Sequence, residues 1–259
     1  MRALEGRVAV VTGAARDRSI GGGIARVLAR HGADVVVNDL AVTEEGERRV
    51  REIEALGRRS ALIAADVTDS AAAEALMAET AERMGRVDIV VANAGVCDWQ
   101  TVAGLTAELW DRIVGVNLHG CFNTCRAAAA QMRAQAGGGR IVATSSVHAV
   151  MPFELMGVYG GTKQAVGHLV AVMAREWARD QITVNHVGPG WVASAINDTS
   201  PDFSSEQSRQ GVQRIIPLGH RAGEPEEMGE AVAYLASEEA RYTTGTYIRV
   251  DGGLVMSAY

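Results

Sequence analysis

Tyr159 and Lys163 stand four residues apart in Tyr159-Gly160-Gly161-Thr162-Lys163, and Ser146 lies thirteen residues before the tyrosine. On a helix, positions i and i+4 share one face, so the phenol and the ammonium become neighbours. A cation beside a phenol favours the phenolate and draws its pKa down from about 10. A tyrosine tuned in that way exchanges a proton near neutral pH, and a serine hydroxyl can hold the oxygen whose proton is moving. This is equipment for interconverting an alcohol and a carbonyl, provided a hydride carrier lies alongside. Taken alone, a Tyr-x-x-x-Lys pair fits a solvated helix face equally well.

The elements around the pair bear on that choice. Residues 157–179 read as the helix that carries it. Near the start of the chain, residues 8–12 form a short Val-rich run, the pattern of a buried strand. Gly13 follows, then a loop, then Gly21-Gly22-Gly23 opening a helix with Ile24, Val27 and Leu28 at apolar spacing. Strand, glycine-rich turn and helix make a dinucleotide-binding signature: glycine lets backbone approach a pyrophosphate, and the helix N-terminus offers it free N–H groups. A second strand over 35–38 ends at Asp39, 18 residues after Gly21, near the distance expected of an acidic residue that accepts from the adenosine ribose. An ordinary strand-to-helix turn would explain the glycines but not the placing of Asp39.

Strand patterns recur over 8–11, 35–38, 61–65, 89–92, 141–144, 183–187 and 247–250. Helical patterns fill the gaps, including 43–56, 70–84, 109–135, 157–179 and 225–236, the last opening on Pro225, which suits a first helical position. Alternation of this kind predicts an α/β fold: a Rossmann-like, doubly wound parallel sheet of about seven strands with helices on both faces. The whole chain, 1–259, is expected to be one dinucleotide-binding domain. Residues 134–139 read as a turn, and the irregular stretch 195–217, rich in Asn, Asp, Ser and Pro, reads as a substrate lid.

With these pieces in order, the chain resembles the short-chain dehydrogenase/reductase family nearly end to end. Thr12-Gly13 is similar to the start of the family's glycine motif. Asp66-Val67 resembles the pair bordering the adenine, Asn93-Ala94-Gly95 the motif after the fourth strand, and Asn117 the asparagine of the fourth helix. Ser146, Tyr159 and Lys163 match the catalytic trio. Pro189-Gly190 matches the Pro-Gly before the nicotinamide contact, and Val250-Asp251-Gly252-Gly253 resembles the C-terminal strand and turn. The resemblance implies a cofactor set of Gly13, Arg18, Ser19, Ile20, Gly21, Asp39, Asp66, Val67, Asn93, Ala94, Gly95, Tyr159, Lys163, Pro189, Gly190, Val192 and Ser194. Two features depart from the pattern. Gly13 to Gly21 spans eight positions, with Ser19 in place of a middle glycine, which looks like the longer loop of the enoyl-reductase branch; that branch spaces its Tyr and Lys more widely than here. Ser194 stands where the family usually has Thr, and it keeps the hydroxyl.

What the resemblance implies is oxidation of a secondary alcohol, or reduction of a ketone, with a nicotinamide cofactor. Tyr159 exchanges the proton and Ser146 holds the substrate oxygen. Lys163 lowers the tyrosine pKa and bonds the nicotinamide ribose, and Asn117 holds a water that links Lys163 to solvent. Asp39 would accept from ribose hydroxyls and repel a 2′-phosphate, so NAD is expected over NADP; Arg16 and Arg18, with Asp17 between them, are the residues that would argue the other way.

Asp98, Trp99, Gln100, His148, Phe153, Glu154 and Trp191 are candidates for the substrate pocket, with Trp99, His148, Glu154 and Trp191 foremost. Their polar members suit a hydroxylated or cyclic alcohol of sugar or polyol type, because buried polar groups left unpaired by an apolar substrate are costly. A 3-oxoacyl thioester of acyl-carrier-protein type is the second reading. A dinucleotide-binding sensor without turnover is a reading of another class, which the presence of Tyr159 and Lys163 argues against.

Composition sets outer bounds. The 259 residues are 47% hydrophobic and 5% aromatic, ample for a core of parallel strands under close-packed helices. The net charge of −6, with no basic block, disfavours nucleic acid and anionic membrane as partners. No apolar signal core or membrane-length run is evident, so a cytoplasmic protein is expected. Cys121 and Cys125 read as core residues and Cys97 as a pocket neighbour without an activating group; the six histidines show no metal-ligand spacing, so no metal is expected. By family likeness the protein would be a homotetramer. Gly160, Gly161, Ala165, Gly167 and the alanines 127–130 are candidates for close helix approach.

Overall fold

The computed structural model describes residues 3–135, 137–199 and 205–258. Seven parallel strands form one sheet in the order β3-β2-β1-β4-β5-β6-β7. They are β1 (Val8–Thr12), β2 (Asp34–Asp39), β3 (Ser60–Ala64), β4 (Ile89–Ala92), β5 (Gly139–Thr144), β6 (Ile182–Pro189) and β7 (Tyr247–Val250). Each strand expected from the sequence is present, with ends within two residues of the expected ones. Strand alternation assigns the core. Val8, Val10 and Val36 face one layer with α3 (Ser70–Met84), α5 (Cys121–Gln135) and α6 (Gly157–Trp177). Ala9, Val11, Val35 and Val37 face the other, with α1 (Ile20–Arg30), α2 (Glu44–Ala55) and α8 (Pro225–Ala236). Both faces of the sheet are therefore covered, which is why its strands read as apolar runs rather than as alternating ones.

Two expectations need correction. The helix expected over 109–135 begins at Ala107 and is not a single α-helix: α4 (Ala107–Val114) passes through a π-wound segment, Gly115–Gly120, into α5. One widened turn hardly disturbs a 3.6-residue apolar pattern, so the sequence reads as continuous; such turns gather at functional sites, and this one carries Asn117. The stretch 195–217, expected to be irregular, holds a 3₁₀ turn (Ala195–Thr199) and a helix, α7 (Glu206–Arg214). The α7 sequence is polar almost throughout and offers no apolar stripe to mark it. Residues 200–204 of that stretch lie outside the described residues. Among the described residues no helix is long and apolar enough to cross a membrane.

Candidate active site

Strand order reverses between β1 and β4, whose connections leave to opposite sides, and a crevice opens at the C-terminal ends of the strands there. A cavity of about 450 Å³ occupies it. Thr12 ties the neighbouring strand ends together: its Oγ1 accepts from the backbone N–H of Asn93 and of Ala94, each at 3.0 Å, and its carbonyl accepts from Asn93 Nδ2 at 2.9 Å. Thr144 Oγ1 donates to Asn93 Oδ1 at 3.1 Å and brings in β5. Gly13 turns the chain with φ +63°, and a Cβ there would stand 2.9 Å from Ala94 Cα. Only glycine meets both the conformation and the approach.

The lengthened loop then delivers the N-terminus of α1, capped by Ser19, whose Oγ accepts from Gly22 N at 3.0 Å. The loop is clamped to α2, where Asp17 pairs with Arg48 and with Arg49, the latter guanidinium almost wholly buried and also paired with Glu52. This clamp has no signature in the sequence.

Along the nucleotide half of the cavity lie Gly13, Ser19, Ile20, Asp39, Asp66, Val67, Asn93, Ala94 and Gly95. Pro189, Gly190, Val192 and Ser194 line it further on. Asp39 is aimed by backbone: its two carboxylate oxygens accept from Ala15 N at 3.2 Å and Leu40 N at 3.0 Å. Asp66 holds Thr68 through both its N–H and its hydroxyl. Two residues of the expected cofactor set do not line the cavity. Arg18 has a left-handed φ of +49° and contributes a backbone carbonyl that accepts from Ala195 N, while Arg16 lines the cavity instead. Gly21 lies under the loop, where a Cβ would stand 2.5 Å from Asn93 Nδ2. Leu40, beside Asp39, lines the cavity and was not anticipated.

A nicotinamide dinucleotide fits these residues. The Gly13–Ala94 approach leaves backbone exposed to a ligand, a capped helix N-terminus faces the same space, and a backbone-oriented carboxylate stands at the far end of β2.

On α6, Tyr159 and Lys163 do face together into the cavity beside Ser146, with Lys163 Nζ 5.6 Å from the Tyr159 ring centroid. Lys163 is 4% exposed, and its Nζ donates to Thr144 O at 2.9 Å. Ser145 Oγ donates back to the Lys163 carbonyl at 3.0 Å, so α6 and the end of β5 are laced from both sides. Ser146 Oγ accepts from His148 N at 3.2 Å and lies close enough to the Tyr159 hydroxyl to favour its ionised form.

The expected fall in the tyrosine pKa is not what this environment gives. Burial pushes the Tyr159 phenol well above its ordinary range, the neighbouring Cys97 adds to the rise, and the Ser146 hydrogen bond opposes it. Burial likewise lowers the Lys163 pKa. Both groups are desolvated together, and burial is the largest cause of each shift.

Asn117 does not line the cavity. Its Oδ1 accepts from Val96 N at 2.8 Å, and its Nδ2 donates to Val96 O at 2.9 Å and to Thr162 Oγ1 at 3.4 Å. Thr162 Oγ1 in turn donates to the Tyr159 carbonyl at 2.7 Å. The side chain thus joins the segment after β4 to the helix of the tyrosine. A Cβ on Gly95 would lie 3.3 Å from Asn117 Oδ1 and 3.4 Å from Lys163 Nζ, which shows how closely the three residues gather.

Trp99, His148, Phe153 and Trp191 line the remaining end, with Met151, Met156, Ile196, Ile215 and Leu254. Glu154 is exposed and outside the cavity, and Asp98 and Gln100 border a separate small recess. His148 Nδ1 faces Met151 O at 3.4 Å, and burial lowers its pKa. Cys97 lies in van der Waals reach of Met156 Sδ; burial pushes its thiol up to about 12, the opposite of an activated nucleophile. Cys121 and Cys125 are buried in the core as expected.

Residues 13–255 match the family model described as Enoyl-(Acyl carrier protein) reductase. The chain is 37% identical over 257 residues to the L-rhamnose 1-dehydrogenase (NAD(P)(+)) of Sphingomonas sp. strain SKA58, covering 99% of each chain. It is 35% identical to 3beta-hydroxysteroid dehydrogenase 1 of Eggerthella lenta, covering 98% of this chain and 95% of that one. The structure of carveol dehydrogenase from Mycobacterium avium in complex with NAD superposes with a TM-score of 0.91 at 29% identity, covering 98% and 99% of the two chains.

Proposed function

The chain belongs to the short-chain dehydrogenase/reductase family of oxidoreductases, and from that footing we propose that Ser146, Tyr159 and Lys163 interconvert a secondary alcohol and its ketone, the alcohol being hydroxylated or cyclic. The observation that carries this reading is the convergence of all three side chains on one cavity, with Lys163 buried beside the Tyr159 ring. When bound in the crevice, an oxidised nicotinamide would supply the hydride acceptor and a positive ring that favours a phenolate nearby. Tyr159 takes the alcohol proton in oxidation and returns it in reduction. Ser146 Oγ holds the substrate oxygen, and Lys163 supplies the fixed cation. Asn117 acts at one remove, holding α6 against Val96 through Thr162. Gly13, Ser19, Ile20, Asp39, Asp66, Val67, Asn93, Ala94, Gly95, Pro189, Gly190, Val192 and Ser194 would hold the cofactor, and Ala195, Ile196, Asn197 and Ile215, the described residues of 195–217 that line the cavity, would border the substrate.

NAD is the cofactor in this reading because the Asp39 carboxylate is held in place by Ala15 and Leu40 at the ribose end. The relatives are named for a sugar and for a hydroxysteroid, both ring compounds that carry hydroxyl groups. Trp99, His148 and Trp191 at the substrate end suit such a ring: two aromatic faces and one polar edge. A homotetramer remains part of the proposal, although the residues offered for close helix approach mostly serve the chain itself. A Cβ on Gly160 would meet His148 O at 2.8 Å, one on Gly167 would meet His186 at 3.0 Å, and Ala127, Ala128 and Ala129 are in the core. Gly161, open to space, with exposed Phe122 and Val172, is what the outer faces of α5 and α6 present to a second copy.

The test is a panel of L-rhamnose, gluconate, cyclohexanol, carveol and a 3β-hydroxysteroid, each offered with NAD and followed by NADH absorbance. Turnover of at least one, abolished by Tyr159→Phe, is the expected result. No turnover of any, with NADH still bound, favours a sensor.

A further inference from the structure

Tyr247 belongs to the last strand, yet its hydroxyl donates to the Ser146 carbonyl at 2.8 Å. Three features of the chain make that reach. Tyr247 pairs in register with His186 on β6, and their rings stack at 4.6 Å with planes 14° apart. His186 is 7% exposed, its Nδ1 has no hydrogen-bond partner among the described residues, and burial lowers its pKa to about 4, so it serves as a neutral plate. Two residues on, and so on the same sheet face, Gly188 leaves the path open: a Cβ there would stand 2.1 Å from the Tyr247 hydroxyl oxygen. The Ser146 carbonyl also accepts from Ala149 N at 3.0 Å. Two donors from different elements therefore fix the peptide that follows Ser146, and with it the direction of the Ser146 side chain.

We infer that Tyr247 is a positioning residue of the reaction: through its hydrogen bond to the Ser146 carbonyl it holds Ser146 Oγ where the substrate oxygen must sit. The inference rests on the role given to Ser146 above. It concerns a contact between β7 and the end of β5 that crosses over the glycine of β6, and it touches neither substrate nor cofactor. Displacement of a catalytic group by a fraction of an ångström lowers the rate of chemistry more than it weakens substrate binding.

The test is Tyr247→Phe, which keeps the stacked ring and removes only the donor. It is assayed with the fastest alcohol of the panel in the parent and in a Ser146→Ala background. In the parent, kcat is expected to fall about tenfold, of the order expected from one lost hydrogen bond, with KM, the melting temperature and NADH affinity by fluorescence unchanged. In the Ser146→Ala background the same change should leave kcat within about twofold, since residues acting as one unit are not additive. An undiminished kcat in the parent, or an equal loss in both backgrounds, overturns the inference. Full activity of Ser146→Ala by itself would instead overturn the assignment of Ser146 on which it stands.

Discussion

Replacing Lys163 by Met removes a buried charge while keeping an unbranched side chain in its place. Lys163 Nζ lies 5.6 Å from the Tyr159 ring centroid. At an effective dielectric of about 20, unit charges about 5–6 Å apart interact by roughly 3 kcal/mol, or about two pKa units. Burial already pushes the phenol up, so the ammonium is what keeps the phenolate from being still less accessible. The sign follows: without Lys163 the phenolate is rarer at any given pH. Alcohol oxidation, which needs the phenolate, should fall about a hundredfold at pH 7.5 and regain rate as pH rises. Ketone reduction, which needs the phenol, should lose less.

The assay is kcat/KM for oxidation against pH at saturating NAD, so that weaker ribose binding does not enter. The variant's apparent pKa should lie about two units above that of the parent. An unchanged apparent pKa, with loss confined to the KM for NAD, would refute the electrostatic role and leave Lys163 as a ribose contact. The mutation also strips the Thr144 carbonyl of its donor at 2.9 Å, a cost to stability of about 1–3 kcal/mol. A melt of the variant separates that loss from the loss of rate.

Two further predictions concern the cofactor end and the helix support. Asp39→Asn should lower the KM for NADP at least about tenfold and raise that for NAD, because a carboxylate near a 2′-phosphate is repulsive; kinetics with both cofactors decide it, and a hundredfold preference of the parent for NADP would contradict the reading of Asp39. Asn117→Ala removes the Asn117 partners of the half-buried Val96 N–H and carbonyl and of Thr162, so the melting temperature should drop by about 5 °C or more, and an unchanged melt would show that the Asn117 bridge is dispensable.

The parallel sheet of seven strands and the gathering of Ser146, Tyr159 and Lys163 were legible because they rest on Val-rich runs, glycines at a turn, an i, i+4 pair on a helix, and motifs in a familiar order. Other features depend on what packs against what, and no local signal carries them. The π-wound turn at Asn117 hides inside an unbroken helical pattern. The polar sequence of α7 lacks a buried stripe. The rise in the Tyr159 pKa comes from burial that a sequence does not display, so a reading built on the nearby lysine alone gave the wrong direction. Arg49 beneath the glycine loop and Tyr247 over Gly188 are contacts of the assembled sheet and its helices. Glu154 follows Ser146 closely in sequence, yet the turn between β5 and α6 sets it outside the cavity.

The account stands on Tyr159 as the group that passes the substrate proton. Tyr159→Phe keeps the ring and removes the hydroxyl. It should lower kcat at least about a thousandfold while NADH still binds, and activity within about threefold of the parent would contradict the claim.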